Sequence, residues 1–253
     1  MLPVFRKIRF QLAKDNQFFN YGRYAVGEIV LVVIGILIAL QNNSWNQSKE
    51  NEKLKAIYLQ RLIHDVEQDT LIIRNVQKEI GMAQSVISDF IRSMESTGDM
   101  MSRESIVEKY FERGWIISEF VPVKNTYIQL SQTGNMKMLK NTTLIDEIIS
   151  YYRFIQQLEN SNAVNKNWIT PIDQQVAVAT AAFELDPATR PLFESKNRKK
   201  AIENILENAD LMERNAAGHF WINQSLSNNM RAINGLSLHL LKSLKDEMKK
   251  TNN

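Results

Sequence analysis

The strongest hydrophobic pattern in the chain is an apolar stretch near its start, residues 25–40. Apolar residues fall on every face of the helix that this stretch would form, so no polar stripe is left to face water. Such a helix covers about 24 Å, and Tyr21, Tyr24 and Trp45 flank it where aromatic rings favour the headgroup level of a bilayer. The pattern predicts a transmembrane helix over residues 21–45, with a buried helix of a soluble core as the alternative.

The flanks of the apolar stretch predict how it is inserted. No small-x-small cleavage site follows it, because Ala39 is succeeded by Leu40 and Gln41, so we expect a retained signal anchor. Residues 1–24 carry five basic residues and one acidic residue, whereas residues 41–60 carry three basic and two acidic residues. The excess of positive charge before the helix places the N-terminus in the cytoplasm and the rest of the chain outside.

The first 20 residues form a basic segment with an amphipathic pattern. Its apolar side chains, Phe5, Ile8, Leu12 and Phe19, share roughly one helical face, with basic residues around them. The pattern predicts a cytoplasmic arm over residues 1–20 that lies on the anionic inner leaflet of the membrane. So short an arm cannot fold into an output domain, and any cytoplasmic signalling would need a separate partner.

Within the predicted anchor, Glu28, Gly35 and Ala39 share one helical face. Gly35 and Ala39 form a small-xxx-small pattern, which lets two membrane helices approach closely. A carboxylate at membrane depth is costly and marks a functional candidate. Two interpretations stay open: a helix-packing face that carries Glu28 into a homo-oligomer or onto a partner, or an acid that reaches the interface beside two incidental small residues.

Beyond the anchor, residues 46–97 place apolar side chains at alternating steps of three and four. A pattern held over so many turns predicts one long helix, continuous with the membrane span, that packs in a bundle or coiled coil. Asp69 interrupts the series. Its apolar members are Leu59, Leu62, Val66, Ile73, Val76, Ile80, Ala83, Ile87, Phe90 and Met94.

The rest of the chain is a series of amphipathic segments separated by Gly, Pro and Asn. Gly134 is expected to end one helix, and Asn141 or Thr142 to cap the next. Pro171 is expected to open a further helix, because a proline is disfavoured in a helix interior. The predicted fold is all-α: an N-terminal transmembrane helix followed by an elongated antiparallel helical bundle over residues 46–253. Helices are expected over residues 103–113, 126–132, 142–168, from 171, 197–213 and 216–250, with an extended connection over 115–123.

Composition and charge narrow the function classes. The 253 residues carry 31 basic and 28 acidic side chains, and no basic run is long enough to indicate a nucleic-acid partner. The absence of cysteine excludes disulfides, thiolate metal sites and cysteine nucleophiles. No zincin, di-iron, serine-hydrolase, phosphate-loop or dinucleotide motif occurs. We therefore expect no cofactor, no metal site and no enzymatic activity.

Three polar residues occupy positions that the helical pattern otherwise gives to apolar side chains: Asp69, His219 and Asn229. Buried polar groups need hydrogen-bond partners, and a single one can fix the register of a bundle. These residues either set the register, or turn to solvent where the heptad pattern drifts, or form a small polar pocket that binds a ligand.

Several strings in the first half of the chain resemble one known family. The string over residues 24–41, followed by Trp45-Asn46, looks like the start of single-pass membrane proteins of Bacteroidota that are classed as domain of unknown function 6090. The helix start at Tyr58-Leu59 and the stretch over residues 126–141 are similar too, so the likeness covers most of residues 1–155. The resemblance implies a cell-envelope protein of a Gram-negative lineage. Together with the orientation predicted from the flanking charges, this gives an expected anchor in the inner membrane and a C-terminal domain in the periplasm. It implies no activity and no site residues.

Two functions follow as hypotheses. The first is an envelope interaction or scaffold protein, whose bundle binds a second copy of itself or another envelope component and whose anchor lies in the lipid bilayer. The second is a ligand-sensing bundle that passes a helix shift through the membrane to a separate cytoplasmic partner. The short cytoplasmic arm favours the first.

Overall fold

The computed structural model describes residues 17–95 and 100–252, with side chains described over residues 26–95 and 103–251. The predicted arm over residues 1–20 therefore lies largely outside the described residues. In the described part of the chain the regular structure is helical and no strand occurs, which confirms the all-α fold. The α-helices are α1 (Gln17–Glu95), α2 (Met100–Lys109), α3 (Asn125–Gln132), α4 (Thr142–Ala179), α5 (Ala182–Leu185), α6 (Arg198–Glu207) and α7 (Ala209–Asn252).

The chain divides into two units, Met1–Lys55 and Ala56–Asn253. In the first unit α1 exposes every side chain over residues 26–50, which includes nearly all of the apolar stretch. One helix in the described ranges is long and apolar enough to cross a membrane, judged by length and composition. The second unit begins at Ala56, later than the predicted start at residue 46.

In the second unit α7 runs antiparallel to α4. Near the start of α4, the Asn141 amide donates a hydrogen bond of 3.0 Å to Glu247, close to the end of α7. Near the end of α4, Asp173 lies 2.9 Å from His219, in the first half of α7. The two helices therefore lie side by side over most of their length, as predicted for an antiparallel pair.

The domain part of α1 runs in the same direction as α4. The Tyr58 hydroxyl accepts a hydrogen bond from Asn135, just before α4, and Asp69 accepts one from Tyr151, further along α4. A parallel helix pair needs a crossover connection, and α2, a π turn at Tyr110–Gly114, a stretch without regular secondary structure over residues 116–124 and α3 supply it. The bundle is thus antiparallel between α7 and both other long helices, and parallel between α1 and α4.

Two apolar clusters fill this bundle. The first joins α1, α4 and α7 around Leu62, Ile155 and Ile233, and the second gathers Phe90, Val176 and Met212 near the other end. Nine of the ten apolar positions predicted on α1 are buried, and Met94 is half-buried, so the predicted seam is confirmed. Ala83, Ile169 and Ile222 are buried between the clusters and belong to neither.

Local sequence signals set several helix ends as predicted. Gly134 adopts a φ of 68° after α3, a left-handed conformation that glycine takes without a Cβ penalty. The Asn141 side chain caps α4 by accepting a hydrogen bond of 3.2 Å from the Leu144 N–H. The helix predicted over residues 103–113 ends in the π turn, where the Trp115 N–H bonds to the Tyr110 carbonyl at 3.0 Å.

The prediction that Pro171 opens a helix is wrong. Pro171 lies inside α4, which continues from Thr142 to Ala179. An interior proline costs about 3 kcal/mol through its missing N–H and its clash with the preceding turn. Ile169 and Val176 are buried on either side of it, and this packing against the bundle offsets the local cost.

Candidate functional site

The first polar site in the bundle is centred on Asp69, whose side chain is fully buried on α1. One carboxylate oxygen accepts a hydrogen bond of 2.8 Å from the Val123 N–H, and the other accepts one of 2.7 Å from the Tyr151 hydroxyl. The Ser237 hydroxyl of α7 lies 3.2 Å from the Tyr151 hydroxyl oxygen and also donates to the Ile233 carbonyl. Asp69 therefore links α1, the crossover, α4 and α7.

The electrostatics of this site follow from its burial. Burial raises the pKa of Asp69 from 3.8 to about 6, although the hydrogen bonds from Val123 and Tyr151 partly oppose the shift. Burial and the charge of Asp69 raise the pKa of the Tyr151 hydroxyl far above 10, so Tyr151 acts as a neutral hydrogen-bond donor. The carboxylate is ionised near pH 7 and is held there by donors from the protein itself.

A second carboxylate of α1 holds the crossover one turn earlier. Asp65 is buried and accepts a hydrogen bond of 3.1 Å from the Thr126 N–H at the start of α3. Lys124 forms an ion pair of 2.7 Å with Glu159 of α4. Asp65 and Asp69 thus bind backbone N–H groups of the crossover, which is a structural use of a buried carboxylate.

The second polar site lies near the other end of the bundle and contains His219. The Tyr110 hydroxyl donates a hydrogen bond of 2.6 Å to Asn215, and the Asn215 amide donates one of 2.7 Å to Asp173. The Nε2 of His219 lies 2.9 Å from the same Asp173 oxygen, and its ring stacks on Trp115. Burial, and then the charge of Asp173, raise the pKa of the Tyr110 hydroxyl, which keeps it a donor.

Next to this network lie buried polar atoms that have no hydrogen-bond partner among the described residues. They are Nδ1 of His219 and both polar atoms of the Asn223 side chain, one helical turn further along α7. His219 and Asn223 are fully buried, at the level where the two apolar clusters are separated. Such atoms suit a small polar ligand or an ordered water with several partners.

The structure places the predicted polar positions differently from one another. Asp69 and His219 are buried in two separate networks and do not meet in one pocket. Asn229 is half-buried, and the adjacent Met230 takes the core position, so the seam expected through Asn229 is displaced by one residue. Tyr110, Asp173 and Asn215 were not singled out in the sequence. Asn215 lies one turn before His219 on the same face of α7. Continuing the three-four pattern of α7 toward its N-terminus would have predicted Asn215 as a further polar position in the seam.

The predicted helix-packing face in the anchor lies in the first unit. Glu28, Gly35 and Ala39 are exposed on α1, and a Cβ at Gly35 would meet no atom within 4 Å. The packing of a second helix on this face stays a prediction.

Groups that could hold a metal ion, and pockets that could hold a ligand, are few in the described part of the chain. No group of three His, Asp or Glu side chains there is arranged to hold a metal ion. A cleft at the loop between α5 and α6 is lined by side chains of both charges, among them Glu184, Arg190 and Arg198. Neither polar network opens into this cleft, since none of its lining residues belongs to them.

An exposed aromatic pair is the surface feature that the sequence did not predict. Trp168 of α4 and Trp221 of α7 are 54% and 55% exposed, and their ring centroids lie 5.5 Å apart. Gly218 lets the helices approach at this point, because a Cβ there would lie only 2.5 Å from the side chain of Ile169, next to Trp168.

Comparison with known proteins identifies the family. A family model described as a family of unknown function, DUF6090, matches residues 28–166, which is more than half of the 253 residues. The matched range includes most of the apolar stretch, both buried aspartates of α1, the crossover and the first part of α4. No curated protein and no solved structure matches the chain. The chain therefore belongs to the DUF6090 family.

Proposed function

We propose that this protein is a membrane-anchored interaction module of the cell envelope, without enzymatic activity of its own. The observation that carries the proposal is the composition of α1. The same helix contains an apolar stretch exposed on all sides and, further along, the seam on which the second unit packs. An exposed apolar helix of this length is stable in a bilayer and unfavourable in water.

The hydrogen-bonded carboxylates support an interaction role over catalysis. Asp65 and Asp69 are buried and accept hydrogen bonds from backbone N–H groups, and the partly exposed Asp173 accepts from Asn215. A catalytic acid or base must reach a proton on a substrate, and these carboxylates already accept hydrogen bonds from the protein itself. The proposed location is the inner membrane of a Bacteroidota cell, as a single-pass protein with the N-terminus in the cytoplasm and the second unit in the periplasm.

Membrane location and topology are tested by fractionation and protease accessibility. We expect the full chain to resist alkaline extraction from native membranes, and a tag after residue 253 to be cleaved by protease added to spheroplasts. A tag before residue 1 should be protected until the membrane is lysed. Release by alkali, or the reverse protection pattern, would contradict the proposed location.

The interaction role is tested by crosslinking in living cells and mass spectrometry of the recovered complexes. We expect reproducible capture of an envelope component or of a second copy of the chain. If the anchor mediates self-association, Gly35→Leu should abolish crosslinks between copies within the membrane, because it blocks close approach of the helices. The matched control is Gly27→Leu, which lies on a different face of α1. Unchanged crosslinking in Gly35→Leu would exclude this face.

The second candidate function is a ligand-sensing bundle that signals through a separate cytoplasmic partner. It is favoured by the unpartnered buried atoms of His219 and Asn223. A polar small molecule that binds there would raise the melting temperature of the detergent-solubilised full chain. Asn223→Leu should abolish that shift, whereas the exposed control Asn228→Leu should keep it. A screen without any Asn223-dependent shift counts against sensing at this site.

A further inference from the structure

The surface around Trp168 and Trp221 has the composition of a binding site. We define the tryptophan face as Asn160, Val164 and Trp168 of α4 with Trp221, Gln224 and Asn228 of α7. The members on each helix are spaced by three or four residues, and the antiparallel pairing of α4 and α7 brings the two rows together. Val164 is 66% exposed beside the two half-exposed indole rings.

The tryptophan face is electrically neutral. Residues 215–230 of α7 contain no Asp, Glu, Lys or Arg, although such residues make up 23% of the chain. In the part of α4 that faces these residues, each charged side chain has a partner: Glu159 pairs with Lys124, Lys166 with Glu119, and Asp173 with His219. The nearest cation on α7, Arg231, donates a hydrogen bond to Asn228 at the edge of the face.

This neutrality discriminates among the classes of partner. A nucleic acid needs Lys and Arg for its phosphates, and an anionic membrane surface needs a basic patch, so neither matches the face. A stable protein interface buries about 800 Å² on each partner around an apolar core. The apolar part of the tryptophan face is only two indole rings and one valine, and amide side chains surround it. This apolar part is small for the core of a stable protein interface.

Amides and indole rings together match the chemistry of a neutral oligosaccharide. The negative face of an aromatic ring attracts the polarised C–H groups on one side of a pyranose ring. Asn and Gln side chains both donate and accept, which suits sugar hydroxyl and acetamido groups. The amides are already oriented, because Gln84 donates to Gln224 at 3.0 Å and Gln224 donates to Asn228 at 3.3 Å.

From this juxtaposition we infer that the tryptophan face binds an uncharged glycan chain of pyranose rings, with its sugar rings stacked on Trp168 and Trp221. The inference rests on the proposed interaction role and names the class of partner. For a protein anchored in the cell envelope, this surface of α4 and α7 would bind a neutral polysaccharide.

Binding is measured on the full chain in a detergent without a sugar headgroup. The probe is a β-1,4-linked hexamer of N-acetylglucosamine. Its binding is measured by isothermal titration calorimetry and by the shift in tryptophan fluorescence. We expect saturable binding that Trp168→Ala and Trp221→Ala each weaken by about tenfold. Trp168→Phe should retain more affinity than Trp168→Ala because it keeps a ring. Leu192→Ala, which removes another exposed apolar side chain, should bind like the unmodified protein.

Three results would overturn the glycan inference. They are absence of binding to the hexamer, equal binding by the Ala variants with unchanged melting temperature, and capture of a protein by a photocrosslinker placed at Asn228. The last result would leave the proposed interaction role standing, since the face would then bind a protein. Failure of the interaction role itself would appear separately, as crosslinking in cells that recovers neither a partner nor a second copy nor envelope polysaccharide.

Discussion

The Tyr151 hydroxyl donates a 2.7 Å hydrogen bond to the carboxylate of Asp69, and this contact joins the two parallel helices α1 and α4. The other oxygen of Asp69 holds the Val123 N–H of the crossover that connects these helices. One ionised side chain therefore secures both a helix pair and the connection between them. The cost is the burial of a charge, which is visible in the raised pKa of Asp69.

The raised pKa predicts how stability depends on pH. The folded protein binds the Asp69 proton with a pKa of about 6, whereas the ordinary value is 3.8, so the folded state holds more protons between these two values. The contribution of Asp69 to the free energy of unfolding is therefore largest below about pH 4, decreases as the pH rises to about 6, and stays constant at higher pH. The fall amounts to about 3 kcal/mol. Chemical denaturation of the detergent-solubilised chain between pH 4 and pH 7 measures it.

Asp69→Asn should remove this pH dependence without loss of stability at pH 7. The Asn amide can donate to the Tyr151 hydroxyl, which then donates to Ser237, so the hydrogen-bond chain reverses its direction. Asp69→Ala removes the acceptor of both the Val123 N–H and the Tyr151 hydroxyl and should cost about 2–4 kcal/mol. The control is Asp146→Asn on the exposed side of α4. An unchanged pH profile in Asp69→Asn would contradict the assignment.

Tyr110→Phe tests the second polar network. The substitution removes the donor at 2.6 Å from Asn215, a side chain that is fully buried. We expect a loss of about 1–3 kcal/mol in the free energy of unfolding, because the Asn215 oxygen stays buried without that partner. Tyr127→Phe is the matched control, since its ring stacks on Tyr152 but its hydroxyl bonds to no described residue. Equal effects of the two substitutions would argue against the network.

Gly114→Ala and Gly81→Ala should change stability in opposite directions. A Cβ at Gly114 would lie 2.5 Å from a ring carbon of Tyr110 and 3.2 Å from Ile87. The Tyr110 ring cannot swing away, because its hydroxyl is bound to Asn215, and we expect a loss of about 1–3 kcal/mol. At Gly81, inside α1, a Cβ meets nothing within 4 Å, and Ala should stabilise by about 0.5–1 kcal/mol. Thermal denaturation of both variants measures the difference.

The cap at Asn141 provides a further prediction. Asn141→Ala removes the cap on α4 and the hydrogen bond to Glu247, and it should cost about 1–2 kcal/mol. Asn141→Asp keeps the cap but places a carboxylate against Glu247, and adding Glu247→Gln should recover the lost stability. Asn197→Ala, which removes the cap of α6, is the comparison variant, with a cost of about 1 kcal/mol. Full stability of Asn141→Asp would show that Glu247 is not in contact.

The sequence predicts the buried positions best where the spacing of apolar residues within a single helix determines them. The seam of α1 from Leu59 to Phe90 was predicted correctly, because consistent steps of three and four leave one register open. In α7 the step from Leu226 can lead to Asn229 or Met230, and both agree with Ile233 as the next position. Packing against α4 decides in favour of Met230, and a single sequence contains no such contact.

Other features depend on helix pairing that no local pattern reveals. The parallel direction of α1 and α4 follows from the crossover, whose path is fixed by Asp65 and Asp69. The tryptophan face needs α4 and α7 side by side, since Trp168 and Trp221 lie far apart in sequence. Pro171 is a further example. Its local signal disfavours a helix interior, but tertiary packing overrides this signal.

The order of the long helices along the chain has a consequence for biosynthesis. Ile233 completes the first apolar cluster and Met212 the second, and both belong to α7. Neither cluster can close until α7 has been synthesised. The seam of α1 therefore leaves the ribosome well before the helix that completes its packing, and its apolar side chains stay exposed during that interval.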